Sequence, residues 1–457
     1  VEYGPAVRAA LELSDFSRRP RLDRGELRID AGAAQVPDAP GLSIVANLPR
    51  WSPRLPAGLS RADNAGKAPA RRGAAPTADA VPRAGGAWQI LRKIEARIGE
   101  LVVGGRSFSE VKLQATREGD GMRIELDGEA LAGRITVPDE PTPQRPINAA
   151  LQRLYVGRPV DGAPEPTAFG DVDPRRLPPL VLTAAELRAN DAALGRLRVI
   201  AMPVSDGIRL NEIDLRSEQQ RIDASGEWRW IGDGQVSRLQ ATLQSRSLGE
   251  TLAAFGYPGS GVGRGETRAE LAVEWGAALT DFVLERLKGK LKFEVGPGQL
   301  RDINPGLGRM VGMLNVQNLT RRLSFDFSDL FQPGMGFDRI SGDFVFERGQ
   351  ARTDNLLIEA PAARIEIQGR AGLQTRDYDQ TITVVPHFGG TLPVAGAIAG
   401  GPAVGAAVFV AERLLQKGIE HATRYRYRLT GPWDDPVLEP LHEPSAAPPA
   451  KGFASQN

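Results

Sequence analysis

The chain has 457 residues, with 57 Lys+Arg against 56 Asp+Glu, no Cys and three His. Near-zero net charge argues against a nucleic-acid binder held by bulk charge. Absent Cys excludes disulfides, thiol nucleophiles and cysteine metal sites, and three His leave little for imidazole chemistry.

At about 150 residues per domain the length predicts three domains. Gly (52) and Pro (35) are together about a fifth of the chain, above the roughly 12% of an average protein. The 41% hydrophobic content is enough to fold. The chain begins Val1-Glu2-Tyr3, without Met, a basic n-region or an apolar h-region. That start is expected of a processed product or of a piece of something longer.

Residues 1–51 carry strand patterns at Gly25–Ile29 and Gly41–Ala46. Residues 52–87 are Pro, Ala, Gly and Arg without apolar periodicity, and read as a disordered insert. Residues 88–137 form a β unit. Ile94, Ala96 and Ile98 alternate with Glu95 and Arg97, and Met122, Ile124 and Leu126 alternate with Arg123, Glu125 and Asp127. Period 2 with charge on the off-face predicts half-buried strands. Residues 138–180 read as a Pro-rich connection with a short helix around Ala149–Tyr155.

A shift of about 86 residues brings Glu100-Leu101 onto Glu186-Leu187, Phe108 onto Leu194, Val111 onto Leu197 and Leu113 onto Val199. It also brings Asp120-Gly121-x-Arg123 onto Asp206-Gly207-x-Arg209. This echo predicts a repetitive β architecture.

From 181 to 390 one-faced strands dominate. The aligned apolar residues are Leu271, Val273 and Trp275; Leu291, Phe293 and Val295; Leu323, Phe325 and Phe327; Phe344 and Phe346; Ile365 and Ile367; and Ile382 and Val384. In the closing segment 419–440, Tyr425, Tyr427 and Leu429 alternate with Arg426 and Arg428. Short helices are expected at Leu307–Leu314, after Phe282 to Leu287, and at Pro402–Lys417. Residues 441–457 read as a disordered tail.

Between them, residues 391–418 are Gly/Ala-rich, and no Asp, Glu, Lys or Arg occurs from Gln380 to Ala411. Gly400-Gly401-Pro402 interrupts any single helix. The second arm spans about 20 Å, short of a hydrocarbon core of about 30 Å. A broken helical hairpin is expected. It either dips into a membrane through Leu392, Val394, Ile398, Val404, Val408, Phe409, Leu414 and Leu415, or plugs the end of the sheet.

No GxSxG elbow, HExxH or P-loop is present, so nothing points to an enzyme, a metal or a cofactor. Asp434-Asp435 and His387 read as turn and strand-end residues. Helices are too few to cover so many strands. A sandwich, a closed barrel or a curled sheet holding acyl chains remain open, and periodicity alone favours an ordinary protein core.

Residues 305–370, the run YDQTITVVP (378–386), the Gly/Ala hairpin and YRYRLTGPWDDPVLEP (425–440) resemble the C-terminal region of the YhdP family of AsmA-like envelope proteins. The resemblance covers about residues 280–440 well and the echoed units more loosely. It implies a mainly β fold: an elongated, curled antiparallel sheet forming a taco-like groove, with few short helices and a C-terminal helical hairpin. Residues 1–51 would continue an upstream groove. The implied role is bridge-like transfer of phospholipid in the periplasm of Gram-negative bacteria, with acyl chains on the aligned residues from Leu271 to Leu429. An inner-membrane anchor is expected in the missing N-terminal part, and the hairpin end would face the outer membrane. Two alternatives are a scaffold for outer-membrane proteins, docking through sheet edges, and a transmembrane β-barrel, which fits poorly with 6% aromatics.

Overall fold

The computed structural model describes residues 7–14, 21–53, 90–103, 106–157, 172–189, 192–255, 263–279, 281–282, 284–300, 335–361, 363–387 and 424–441. These are mainly strand, with one α-helix, α1 (Leu248–Ala254), among the described residues. The chain divides into two units, Val1–Phe293 and Glu294–Asn457.

In the first unit the strands follow one another across the sheet in chain order. They are β1 (Val7–Ser14), β2 (Arg21–Ile29), β3 (Gly41–Trp51), β4 (Leu91–Val103), β5 (Arg106–Glu118), β6 (Gly121–Asp127) and β7 (Leu131–Pro138). Then come β8 (Ile147–Val156), β9 (Leu180–Ala189), β10 (Ala192–Val204), β11 (Gly207–Arg216), β12 (Gln220–Ile231), β13 (Gly234–Ser245) and β14 (Thr267–Trp275). Next, β15 (Lys288–Val295) brings Gly289 against Ala272 of β14.

The expected antiparallel sheet needs correction at three places. The pairs β2–β3, β3–β4 and β8–β9 are parallel. Parallel neighbours need a crossover, because the chain must return to the end where it started. Each of these parallel pairs therefore has its two strands entered from the same end of the sheet.

The helix expected around Ala149–Tyr155 is strand β8 instead. Ala149 and Leu151 are buried while Asn148, Ala150 and Gln152 are exposed, so the period is 2, not 3.6. Within the stretch read as a loop, Pro174–Arg176 makes a 3-10 turn. After Phe282 the described helical piece is likewise one 3-10 turn, Leu284–Arg286. Helices expected at Leu307–Leu314 and Pro402–Lys417 lie outside the described residues.

The echo is structural. Strands β5 and β10 begin 86 residues apart at Arg106 and Ala192, and β6 and β11 do so at Gly121 and Gly207. Each echoed glycine faces a neighbouring strand closely. A Cβ on Gly121 would lie 2.7 Å from the Val137 carbonyl oxygen, and one on Gly207 would lie 2.1 Å from that of Trp228.

In the second unit β16 (Gly298–Leu300) pairs with β17 (Met335–Phe337). An antiparallel ladder runs β18 (Arg339–Glu347), β19 (Gln350–Glu359), β20 (Ala363–Gly372), β21 (Asp377–Pro386), β22 (Tyr425–Pro432) and β23 (Val437–Pro440). Among the described residues no helix is long and apolar enough to cross a membrane, which says nothing of a β-barrel.

Candidate functional site

Residues directly opposite across paired strands share a face of the sheet. Following the pairs through the first unit traces unbroken apolar rows at right angles to the strands. One row runs through Ala9, Leu27, Ile44, Ile94, Ala115 and Ile124 on β1 to β6. It continues through Ile135, Ala149, Leu182 and Val199, then Ile213, Ala224, Ala241 and Leu271 on β14.

A second row starts at Val7, Ile29, Ala46, Ala96, Leu113 and Leu126. It passes Gly133, Leu151, Ala184 and Leu197, then Leu215, Ile222, Leu243 and Ala269. A third joins Ile147, Leu180, Ala201, Leu210, Gly226, Leu239 and Val273. At about 4.8 Å between strands, fourteen strands make a stripe roughly 60 Å long.

The other face is charged. Between the first two rows stand Glu95, Glu125, Arg134, Arg198, Asp214, Asp223 and Glu270. Exposed ion pairs such as Arg134–Glu125 (3.3 Å), Arg198–Glu212 (3.2 Å) and Arg221–Asp223 (2.7 Å) cover it. Such pairs contribute little stability, but they keep that face in water and leave the apolar face as the one to be covered. Among the described residues of this unit no second sheet lies over the stripe, and α1 is only seven residues long.

Short segments cover the stripe at the strand ends. At the upper rim Val172 and Leu177 pack beside Ala201, Ile208 and Trp228, with Ala278 and Leu279, and Pro174 is fully buried. The indole Nε1 of Trp228 donates to Gln235 Oε1 (2.9 Å), and Gln235 Nε2 donates to the Val172 carbonyl (3.0 Å). Trp275 Nε1 donates to the Ala278 carbonyl at 2.9 Å. Asp173 accepts from Arg175 N (3.0 Å), Nε (2.8 Å) and Nη2 (2.6 Å). Burial pushes the Asp173 carboxyl up, but the Arg175 hydrogen bonds and the charges of Arg175 and Arg176 outweigh it and hold it below its ordinary range. At the lower rim Thr251 of α1 shares a buried 2.8 Å hydroxyl contact with Ser245.

In the second unit the same construction recurs. Ile340, Ile358, Ile365, Val384 and Tyr425 form one row across β18 to β22, and Leu356, Ile367, Ile382 and Tyr427 form another. Ile365 is 1% exposed and Val384 4%. Burial pushes the Tyr427 phenol up, with Tyr425 adding to it.

Of the residues expected to line a groove, Leu271, Val273 and Trp275 share the apolar face of β14. Leu291, Phe293 and Val295 alternate with exposed Lys290, Lys292 and Glu294 on β15. Phe344 is half-buried and Phe346 buried, and Leu429 stands opposite Leu438. Leu323, Phe325, Phe327 and the hairpin residues Leu392, Val394, Ile398, Val404, Val408, Phe409, Leu414 and Leu415 lie outside the described residues. The expected list begins at Leu271, whereas the stripe begins on β1. The signal for the earlier part was present, since Ile94, Ile124 and their neighbours carry the same period. Asp434 and Asp435 sit in the β22–β23 turn, with Asp435 N donating to the Pro432 carbonyl at 3.2 Å. Exposed His387 places Nδ1 3.3 Å from the Pro361 carbonyl.

A family model described as YhdP protein matches residues 1–438. Over 370 residues the chain is 25% identical to a protein of Escherichia coli (strain K12) named intermembrane phospholipid transporter YhdP, and the match takes in 79% of this chain and 29% of that protein. The chain thus spans less than a third of the length of this curated relative. No solved structure matches the chain.

Proposed function

This chain belongs to the YhdP family, and we propose that it is part of a conduit carrying phospholipid between the two membranes of a bacterial envelope. The relative's activity points to the cargo. The observation that carries the reading is the apolar stripe crossing β1 to β14. A tail lying on Leu, Ile and Val gains about 0.8 kcal/mol per buried methylene without directional bonds. It can therefore be held and still slide. A charged outer face and an apolar inner one suit a sheet curled around tails while standing in water.

In this reading the row residues of both units, the expected ones from Leu271 to Leu429 included, touch acyl chains, and the headgroups ride at the open mouth. The body stands in the periplasm. The segment 391–418 meets or caps the outer-membrane end, and a membrane anchor belongs to the part of the parent protein upstream.

The test is photocrosslinking in the full-length protein. A photoreactive residue in place of Leu182, on the apolar face, should capture lipid. The same residue in place of neighbouring Thr183, on the other face, should not. Equal capture at both positions, or protein instead of lipid at Leu182, defeats the proposal, the second outcome favouring a scaffold.

A further inference from the structure

We infer that Arg117 is a station for a lipid phosphate at the strand-end edge of the apolar trough; this rests on the phospholipid reading and deepens it to one residue. Arg117 follows Ala115 on the apolar face of β5 and stands opposite Met122. Beside it, Leu91, Ala115 and Met122 form a buried cluster. Met122 in turn stands opposite Val137, so Arg117 is a charge set into the edge of an apolar floor.

Its guanidinium reaches across β6 to Asp139. Nη1 donates to Oδ1 (3.0 Å) and Oδ2 (2.9 Å), and Nη2 donates to Oδ1 (3.1 Å). The two partners differ in hydration. The Arg117 side chain is 6% exposed and that of Asp139 39%. The cation is therefore fixed in the wall and needs an anion at all times, whereas the carboxylate can turn out into water. A guanidinium fork fits a phosphate as well as a carboxylate. Exchange of one anion for the other keeps the buried charge compensated.

The architecture does not require the pair. The echo of Arg117 is Pro203, which stands opposite Ile208 in the same kind of hairpin. Buried ion pairs are often replaced by apolar residues without loss of stability, so the second repeat shows the ordinary solution and the first departs from it.

The experiment uses the full-length protein with a photoreactive residue in place of Ile124, beside the station, or of Val199, in the repeat where Pro203 stands in place of the arginine. Vesicles contain phosphatidylglycerol and diacylglycerol with the same tails in equal amounts. Capture at Ile124 should favour the phosphate lipid about tenfold, which corresponds to about 1.4 kcal/mol. Capture at Val199 should stand near parity. Arg117→Met with Asp139→Leu should bring Ile124 to parity by lowering capture of the phosphate lipid there, while capture at Val199 and circular dichroism stay unchanged. Asp139→Asn, which leaves the cation and removes the charge that competes for it, should raise the preference. Parity in the unaltered protein, or a preference that survives the double substitution, overturns the station alone. Absence of lipid at both positions overturns the phospholipid reading beneath it. Adding inorganic phosphate should leave the preference intact, because the tails hold the headgroup in place. Loss of preference in phosphate overturns the assignment to a lipid.

Discussion

Replacing Ile124 by Asp puts the stripe to its most direct test. Ile124 lies half-buried on β6, opposite Ala115 on one side and Ile135 on the other. In the free protein a carboxylate there stays partly hydrated, and the loss of apolar burial should cost about 1–2 kcal/mol of stability. An acyl chain passing over it would strip that water away. Buried without a partner, even the protonated carboxyl costs roughly 2–7 kcal/mol, and the ionised form more. Taking about 4 kcal/mol, and about 1.4 kcal/mol per factor of ten, passage over this strand slows about a thousandfold. If the tails follow the rows from strand to strand, a block at one strand slows transfer along the whole stripe by the same factor. Vesicle-to-vesicle transfer of fluorescent phospholipid by the full-length protein measures it, with circular dichroism as the check on folding. Glu125→Gln is the paired control on the other face, where Glu125 makes an exposed 3.3 Å ion pair with Arg134. It should lose less than about 1 kcal/mol and transfer normally. Transfer within twofold of normal in a folded Ile124→Asp protein refutes the reasoning, as does equal damage from Glu125→Gln.

Two further outcomes follow from the packing. Gly207→Ala places a Cβ 2.1 Å from the Trp228 carbonyl oxygen and 2.8 Å from the Arg229 Cα. It should lower stability to urea by about 2 kcal/mol or more, while Gly234→Ala, with nothing within 4 Å, should change it by less than about 1 kcal/mol. The Asp173 carboxyl, held below its ordinary range by Arg175 and Arg176, anchors the upper rim in its ionised form. Its contribution is complete above the unfolded value of about 3.9 and is lost as pH falls through the lower folded value. Amide exchange at Val172–Leu177 should accelerate in that acidic window, and Asp173→Asn should show the faster exchange already at pH 7; unchanged exchange in that variant would remove Asp173 from the account.

Much of the fold was legible because a half-buried strand writes its two faces directly into the chain. Met122, Ile124 and Leu126 against Arg123, Glu125 and Asp127 is such a case, and so is Ile365 and Ile367 against Arg364 and Glu366. What period 2 cannot convey is which strand lies beside which. The parallel pairing of β8 with β9 depends on where a Pro-rich connection returns, and nothing in residues 157–179 encodes that locally. Ala149–Tyr155 read as a helix because Ala and Leu favour helices, and tertiary pairing with β7 and β9 overrode that preference. The Arg117–Asp139 pair was invisible for the same reason, since only the β5–β6–β7 register brings residues 22 apart together.

The repeat explains how so long a stripe stays on one face. Strands β4 to β8 are joined antiparallel, so five strands leave the chain at the end opposite to its entry. A crossover then restarts the next set in the same direction, through the parallel β8–β9 pair. The join is not in perfect phase. The row through Ala115 on β5 reaches β10 at Val199, whereas the sequence echo of Ala115 is Ala201. The offset is two residues, about 7 Å along the strand. A one-residue offset would have turned every Leu and Ile of the second set onto the charged face, because side chains alternate with a period of 2. An even offset instead slants the stripe and leaves it unbroken. The bulges absorb the remaining mismatch: in β11 the pairing skips from Leu210 to Ile213, and that extra residue returns Ile213 and Leu215 to the apolar face. Continuity of one apolar face across two imperfect copies is thus maintained by register, and a sliding acyl chain would depend on that continuity more than on any single side chain.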